Sequence, residues 1–346
     1  MRWLIGFSFV ALGLLWLSGI VSWEFEVPSY KAPEHHREEK VPSLFSSSTP
    51  EALIRIVERI LPPPSRREVF QGCSIVDSSI FYIGTSTQSA RLERTLREEG
   101  RTEDAELLCE ISRRPQGIWI TGDRPDAAKR VAEFIEDASS VGRIPVFVLY
   151  NVPGTLIHSI GDAIGNNKAW IILEPDALGL AANLSQGDRE ARLSELRREV
   201  EILKSSAPSS RVYIDAGHSS WHSSQEIVEY LKQAGIASAD GFSTNVSNFR
   251  PLSDEIIYGK DISKRTDGKH FIIDTSRNGA SVSSSEWCNP AGAALGYSPT
   301  TGTDNALIDA FLWVKPPGES DGSCNGGPSA GKFWLERALG MVKRKY

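Results

Sequence analysis

From about Arg67 onward the chain alternates between two patterns. Short apolar runs rich in β-branched and aromatic residues recur: Ile80-Phe-Tyr-Ile, Gly117-Ile-Trp-Ile, Pro145-Val-Phe-Val-Leu-Tyr150, Trp170-Ile-Ile-Leu, Val212-Tyr-Ile, Gly241-Phe-Ser-Thr, Phe271-Ile-Ile-Asp and Ala310-Phe-Leu-Trp-Val. Runs of this kind read as strands buried on both faces. Amphipathic helical patterns lie between most of them, as over Asp126 to Ala138, Asp188 to Ser205 and Ser224 to Ala234. A last helix is expected over Ser329 to Lys343, packed outside. Strand and helix alternating in this way predict a parallel α/β fold, and the number of strands predicts closure into a (β/α) barrel of the TIM-like type. The dense charges from Arg192 to Lys204 sit at helical spacing and read as a solvated face.

One interval breaks the rhythm. Between Tyr150 and Trp170 the spacing leaves room for about two turns of helix, whereas a crossover between parallel strands normally needs a full one.

The ends differ from the body. After Arg2 an almost uninterrupted apolar run extends from Trp3 to Trp23, so residues 1–23 read as a signal peptide or a membrane anchor. Residues 24–66, rich in Pro, Ser and charge, read as a stalk or linker, and residues 67–346 as the barrel domain. Either reading of the apolar run puts the body outside the cytosol, secreted or on the extracellular face of a membrane. Four cysteines agree with an oxidising compartment. Cys288 and Cys324 flank an acid-bearing loop and would staple it. Cys73 and Cys109 either form a second bridge or stay buried thiols, since spacing alone does not fix connectivity. Asn183-Leu-Ser and Asn245-Val-Ser are glycosylation triplets, which also occur by chance.

The formal charge of −6, without a basic block, argues against nucleic acid as a partner. A neutral polymer such as a polysaccharide makes no such demand, and a monomer is expected. Three motifs lead from an apolar run into an acid: Trp170-Ile-Ile-Leu-Glu174-Pro-Asp176, Val212-Tyr-Ile-Asp215-Ala-Gly-His218 and Trp313-Val-Lys315-Pro-Pro-Gly-Glu319-Ser-Asp321. In a parallel barrel they emerge at one rim, where active sites form. Alone, Asp176 would read as a helix N-cap. Several acids at one rim repel one another, however, and some must then hold protons. Two carboxyl groups across a cleft are what glycoside hydrolysis uses. Trp119, Trp221 and Trp287 lie near strand ends beside these acids, and an indole face suits the apolar face of a sugar ring. Trp313 and Trp334 fit core packing better. His218 could bond sugar hydroxyls or serve as a structural histidine. Zinc-binding, dinucleotide-binding, P-loop and nucleophile-elbow motifs are missing, and no cofactor or metal is implied.

From about Phe81 to Trp334 the chain resembles glycoside hydrolase family 6, the inverting cellobiohydrolases and endo-β-1,4-glucanases. The matching stretches are Ile172-Leu-Glu-Pro-Asp176-Ala-Leu, Tyr213-Ile-Asp215-Ala-Gly-His218 with Trp221, Thr244-Asn245-Val-Ser-Asn-Phe, Phe271-Ile-Ile-Asp274-Thr-Ser-Arg277, Glu286-Trp-Cys288-Asn-Pro and Leu312-Trp-Val-Lys315-Pro-Pro-Gly-Glu319-Ser-Asp321-Gly. The resemblance implies a distorted (β/α) barrel, Asp176 as general acid and Asp321 as the candidate base. It implies Tyr150, Lys315 and Glu319 in the central subsites, with Asp215, His218 and Asn245 also binding substrate. Trp119, Trp221 and Trp287 would be sugar platforms, and Cys288–Cys324 a bridge.

The chain departs from the family after Tyr150-Asn-Val-Pro153, where family members carry Arg-Asp-Cys, a loop and a helix. The missing Asp is a like-charged neighbour of the acid, so Asp176 is left to burial and the remaining acids, and weak hydrolysis with an optimum shifted to acid relative to complete family members is predicted. Asp162 reads as a solvent-exposed turn residue that could restore the coupling only by folding back. The expected function is inverting hydrolysis of β-1,4-glucan, endo-acting in an open cleft. The alternative is a catalytically weak β-glucan-binding protein on a hydrolase scaffold.

Overall fold

The computed structural model describes residues 80–283 and 286–345. The expected signal or anchor, the linker and Cys73 lie outside the described residues. In chain order the elements are α1 (Gln88–Glu98), α2 (Thr102–Ser112), β1 (Ile118–Thr121), α3 (Ala127–Ser140), β2 (Val146–Tyr150), α4 (Gly154–Ile164), β3 (Trp170–Leu173), α5 (Ala177–Ala181), α6 (Gln186–Ser206), β4 (Arg211–Asp215), α7 (Ser224–Gln233), β5 (Gly241–Thr244), α8 (Leu252–Arg265), β6 (His270–Asp274), β7 (Ile308–Leu312) and α9 (Leu335–Lys345). The strands form one parallel sheet in the order β1 to β7.

Period-two alternation sorts each strand into two cores. Phe147, Leu149, Ile171, Leu173, Ile214, Phe242, Phe271 and Ile273 face the helices and pack with Ile157, Ile160, Leu196, Val200 and Leu203. Val146, Val148, Trp170, Ile172, Tyr213, Ile272, Ala310 and Leu312 fill the inside of the curl. Each fully buried large apolar side chain contributes on the order of 1.5–3 kcal/mol. The same alternation gives Trp119, Tyr150, Asp215 and Asp274 the inward parity, at or near the carboxyl ends of their strands.

The sheet curls until its two edges meet. The Gly117 N–H donates to the Trp313 carbonyl at 2.8 Å, and a side chain at 117 would strike the Val314 carbonyl, 2.2 Å from its Cβ. Among the described residues no strand ladder joins β1 to β7, so the expected parallel barrel is present in a distorted form, with a seam.

Four expectations need correction. Ile80–Ile83 is not a strand; Phe81 makes a single parallel bridge to Ile144 and plugs the inner core against Trp170, ring centroids 4.9 Å apart. The short interval holds a helix of 11 residues, α4, because its Ile157, Ile160 and Ile164 supply an apolar face at helical spacing. The charged face of α6 is not wholly solvated, since Arg192 turns in to Glu174 at 2.6 Å and Glu199 is buried. The last helix starts at Leu335, because residues before it are tied to the Asp321 loop through Trp334 N–H to Gly318 O and Ser320 N–H to Lys332 O. The helices α1 and α2 were passed over in the sequence; α1 is so rich in charge that only one of its large apolar residues, Leu96, is buried.

Candidate active site

The rim at the carboxyl ends of β3 and β4 holds two acids in one hydrogen-bonded unit. Asp176 follows β3 in a left-handed conformation, φ 70°. Its N–H donates to Asp215 Oδ2 at 2.9 Å, and Asp215 also accepts from Ser243 Oγ at 3.1 Å and Gly217 N–H at 3.3 Å. Burial pushes Asp176 up to about 6, with the Asp321 charge adding and Lys315 opposing. Burial and the Asp176 charge together lift Asp215 well above the usual carboxylate range. Desolvation thus lifts Asp176 even without the missing Asp. Asp162 is exposed on α4 and does not fold back into this rim.

The opposite rim is built differently. Asp321 accepts from Arg277 Nη1 at 2.7 Å and from Asn289 N–H at 3.0 Å, while its own N–H donates to Asn289 Oδ1 at 3.0 Å. Arg277 is fully buried, lies over the Phe249 ring at 4.2 Å and also donates to the Ser247 carbonyl. The Cys288–Cys324 bridge is present and closes this loop. Cys109 is also disulfide-bonded. Asp274 is buried beneath the loop and accepts the N–H groups of Ser247, Ser276 and Lys315.

Between the rims stand Lys315, Glu319, Tyr150 and Trp119. Lys315 Nζ is 4.0 Å from Glu319 Oε2 and 5.2 Å from the Trp119 ring centroid. Burial lowers the Lys315 pKa and raises that of Glu319. Tyr150, 37% exposed, lies 5.7 Å from Trp119, and its hydroxyl is pushed up by burial and then by Asp176 and Glu174. The Trp119 indole N–H donates to Val314 O at 3.0 Å, so it is spent inside the protein.

His218 and Trp221 flank the acid side. Burial, then Arg250 and His222, lower His218 to about 3, so its ring is neutral. Its Nδ1 accepts from Ser220 N–H at 3.2 Å, which leaves Nε2–H as the donor. The Trp221 ring lies against α5, where a side chain at Gly179 would come within 2.7 Å of it. It packs 5.6 Å from His218 and 5.8 Å from His222. Trp287 is 56% exposed beside the disulfide. Trp313 is core, as expected.

Asn245 does not join the cleft. It is 0% exposed, its Nδ2 donates to Asp274 O at 2.8 Å, and its Oδ1 accepts from Arg250 N–H at 2.9 Å. The resemblance implied a substrate contact for it; its φ of 63° is that of a turn residue holding the rim. Sequence reasoning missed the tasks of Arg277, Gln88 and Glu174. An arginine three residues past the apolar run that ends in Asp274 was the available signal for Arg277. Gln88, donating to Glu319 Oε1 at 2.8 Å from the start of α1, lies too far away in the chain to have been found. Among the described residues no cluster of His, Cys, Asp or Glu could hold a metal ion.

The chain was compared with known proteins. Residues 154–345, more than half of it, match the family model described as glycosyl hydrolases family 6. It is 40% identical over 285 residues to endoglucanase A of Cellulomonas fimi, covering 77% of this chain and 61% of that protein. It is 33% identical over 331 residues to a 1,4-β-D-glucan cellobiohydrolase of Podospora anserina, covering 75% and 79%. Among solved structures, the endoglucanase Cel6 of Mycobacterium tuberculosis, determined with methyl-cellobiosyl-4-deoxy-4-thio-β-D-cellobioside, superposes with a TM-score of 0.71 at 37% identity. That match covers 78% of this chain and 98% of the other. The chain spans about three fifths of the C. fimi enzyme and of endoglucanase A of Thermobispora bispora, at 61% and 62% of their lengths. With the matching sequence motifs and the curled parallel sheet in agreement, the chain belongs to glycosyl hydrolases family 6.

Proposed function

We propose that this chain is an inverting, endo-acting β-1,4-glucanase. The observation that carries the reading is the contrast between Asp176, lifted to about 6 by burial, and Asp321, ion-paired with Arg277. Asp176 in its protonated form gives its proton to the glycosidic oxygen as the C1–O bond breaks. Asp321 takes a proton from the water whose oxygen attacks C1 from the opposite face, so the new reducing end has inverted configuration. Proton exchange with solvent resets both groups. Lys315, Glu319, Tyr150 and the neutral His218 are suited to bond sugar hydroxyls. Trp221 and the open-lying Trp287 offer ring faces to further sugars, while Trp119 shares its face with Lys315. Support for β-1,4-glucan as substrate comes from the names of the endoglucanase and cellobiohydrolase relatives. The exposed Tyr150 and Trp287 favour an open cleft and internal cutting. The disulfide suits a body outside the cytosol, reached by residues 1–23 as signal or anchor and residues 24–66 as linker.

The test is hydrolysis of a soluble β-1,4-glucan, with viscosity followed beside reducing ends and the product anomer read by NMR. Early viscosity loss and an α-anomer product are expected. A β-anomer first product overturns inversion, and reducing ends released without viscosity loss overturn endo action. Glucan binding without turnover at any pH leaves the chain a binding protein on a hydrolase scaffold.

A further inference from the structure

Glu174 occupies the turn that leaves β3, two residues before Asp176. Its buried carboxylate accepts the N–H groups of Asn151 at 3.0 Å and Val152 at 2.8 Å, the two residues that follow Tyr150. Its own N–H donates to Leu149 O at 2.8 Å. Arg192 of α6 donates to the same carboxylate at 2.6 Å, and also faces Glu195 at 2.7 Å and the buried Glu199 at 3.7 Å. Among the described residues Glu199 has no hydrogen-bond partner for either carboxyl oxygen.

Two further observations show that this carboxylate does more than fill a gap. Asn151, Glu174 and Asp176 all take left-handed backbone conformations, φ 51°, 49° and 70°. Each such residue costs on the order of 1 kcal/mol or more and persists only where its surroundings enforce it. The loop after β2 borders a cavity of about 450 Å³ along Asn151, Pro153, Arg192 and Glu195. Val152 packs in the core and Gly122 lies close against Asn151, while the two N–H bonds to Glu174 are what tie the loop to the turn after β3.

We propose that Glu174 is a positioning residue that fixes Tyr150 and Asp176 in one geometry, with Arg192 holding its carboxylate; this rests on reading Asp176 as the acid and Tyr150 as a wall of the cleft. Glu174→Gln is the sharp variant. An amide has one acceptor oxygen where the carboxylate has two, so in either orientation an NH2 group meets a backbone N–H donor. The turn then shifts and water reaches Asp176.

The experiment measures kcat, KM and their pH dependence on a soluble β-1,4-glucan for wild type, Glu174→Gln, Arg192→Met and Arg192→Lys, per mole of folded protein. Glu174→Gln should lower kcat about 10- to 100-fold with KM changed less than about threefold. The alkaline limb of kcat reflects Asp176 as set by Lys315, Asp321, Asp215, Tyr150 and Glu174. It should move to lower pH by roughly half a unit or more as the desolvation is relieved. Arg192→Met should show a smaller loss, which Arg192→Lys recovers. A melting temperature that falls while kcat and the limb stay at wild-type values shows a merely structural role and overturns the proposal. If Glu174→Gln does not fold, Arg192→Met decides on the same criteria. If wild type itself does not turn over, the reading of Asp176 as the acid fails separately, and the Asp176 titration followed by carboxyl-carbon NMR judges the positioning. A midpoint lower by roughly half a unit or more in Glu174→Gln supports it, and an unchanged midpoint overturns it.

Discussion

The two rims of the cleft use one functional group in opposite ways. On the β3–β4 side the Asp176 carboxyl makes no side-chain hydrogen bond among the described residues, and burial drives it toward the protonated form. On the far side Asp321 is fastened by an arginine, a backbone N–H and a disulfide-closed loop. In the proposed reading, the division of labour lies in the neighbours rather than in the two aspartates.

Breaking the acid side has the largest expected effect. Asp176→Asn should lower kcat by about a thousandfold or more while cello-oligosaccharide affinity stays within a few fold, as measured by turnover and by tryptophan fluorescence. The same variant sharpens the contrast through stability. Asp176 titrates near 6 folded against about 3.8 unfolded, so the folded state holds its proton more tightly. Stability is then lost as pH rises through that window, on the order of 2–3 kcal/mol above it. Asp176→Asn removes this cost, so the variant should unfold at higher denaturant than wild type at pH 7 and show no such gain below pH 4.

Arg277→Met attacks the other rim. Removing the cation leaves Asp321 buried without its charge partner, which should cost about 3–5 kcal/mol in denaturant unfolding and about a hundredfold in kcat. Replacing Cys288 and Cys324 together by serine should cost about 2–5 kcal/mol and leave the Asp176 pH limb in place, because burial is the main cause of its shift and Arg277 still holds Asp321. The smallest effect is expected for Trp221→Ala, roughly a tenfold loss in glucan affinity measured by titration, with stability changed by less than the disulfide variant.

The sequence made the strands and the acid-bearing turns visible because both are local. Apolar runs such as Trp170–Leu173 and Phe271–Ile273 announce buried parallel strands, and the acids that follow them fall at one rim by topology. The misjudged parts depend on distant partners. Nothing near Arg192 shows that it turns inward to Glu174, and nothing near Asn245 shows that Asp274 and Arg250 consume its amide. Ile80–Ile83 has strand composition but pairs through a single bridge to Ile144. How far burial lifts Asp176 was likewise hidden, because it depends on how the loops from distant parts of the chain close over the rim.

The seam at Gly117 gives the ring a place to come apart first. A sheet closed by ladders all the way round exchanges its inner amides only through global unfolding, whereas a ring fastened at Gly117–Trp313 can open there alone. The Gly117 amide should therefore trade its hydrogen for deuterium well before those of β3 or β4. Trp119 and Lys315 stand on opposite sides of this join, so a glucan chain that touches both acts as a clasp. Its binding should slow exchange at Gly117 more than at any amide of the central strands.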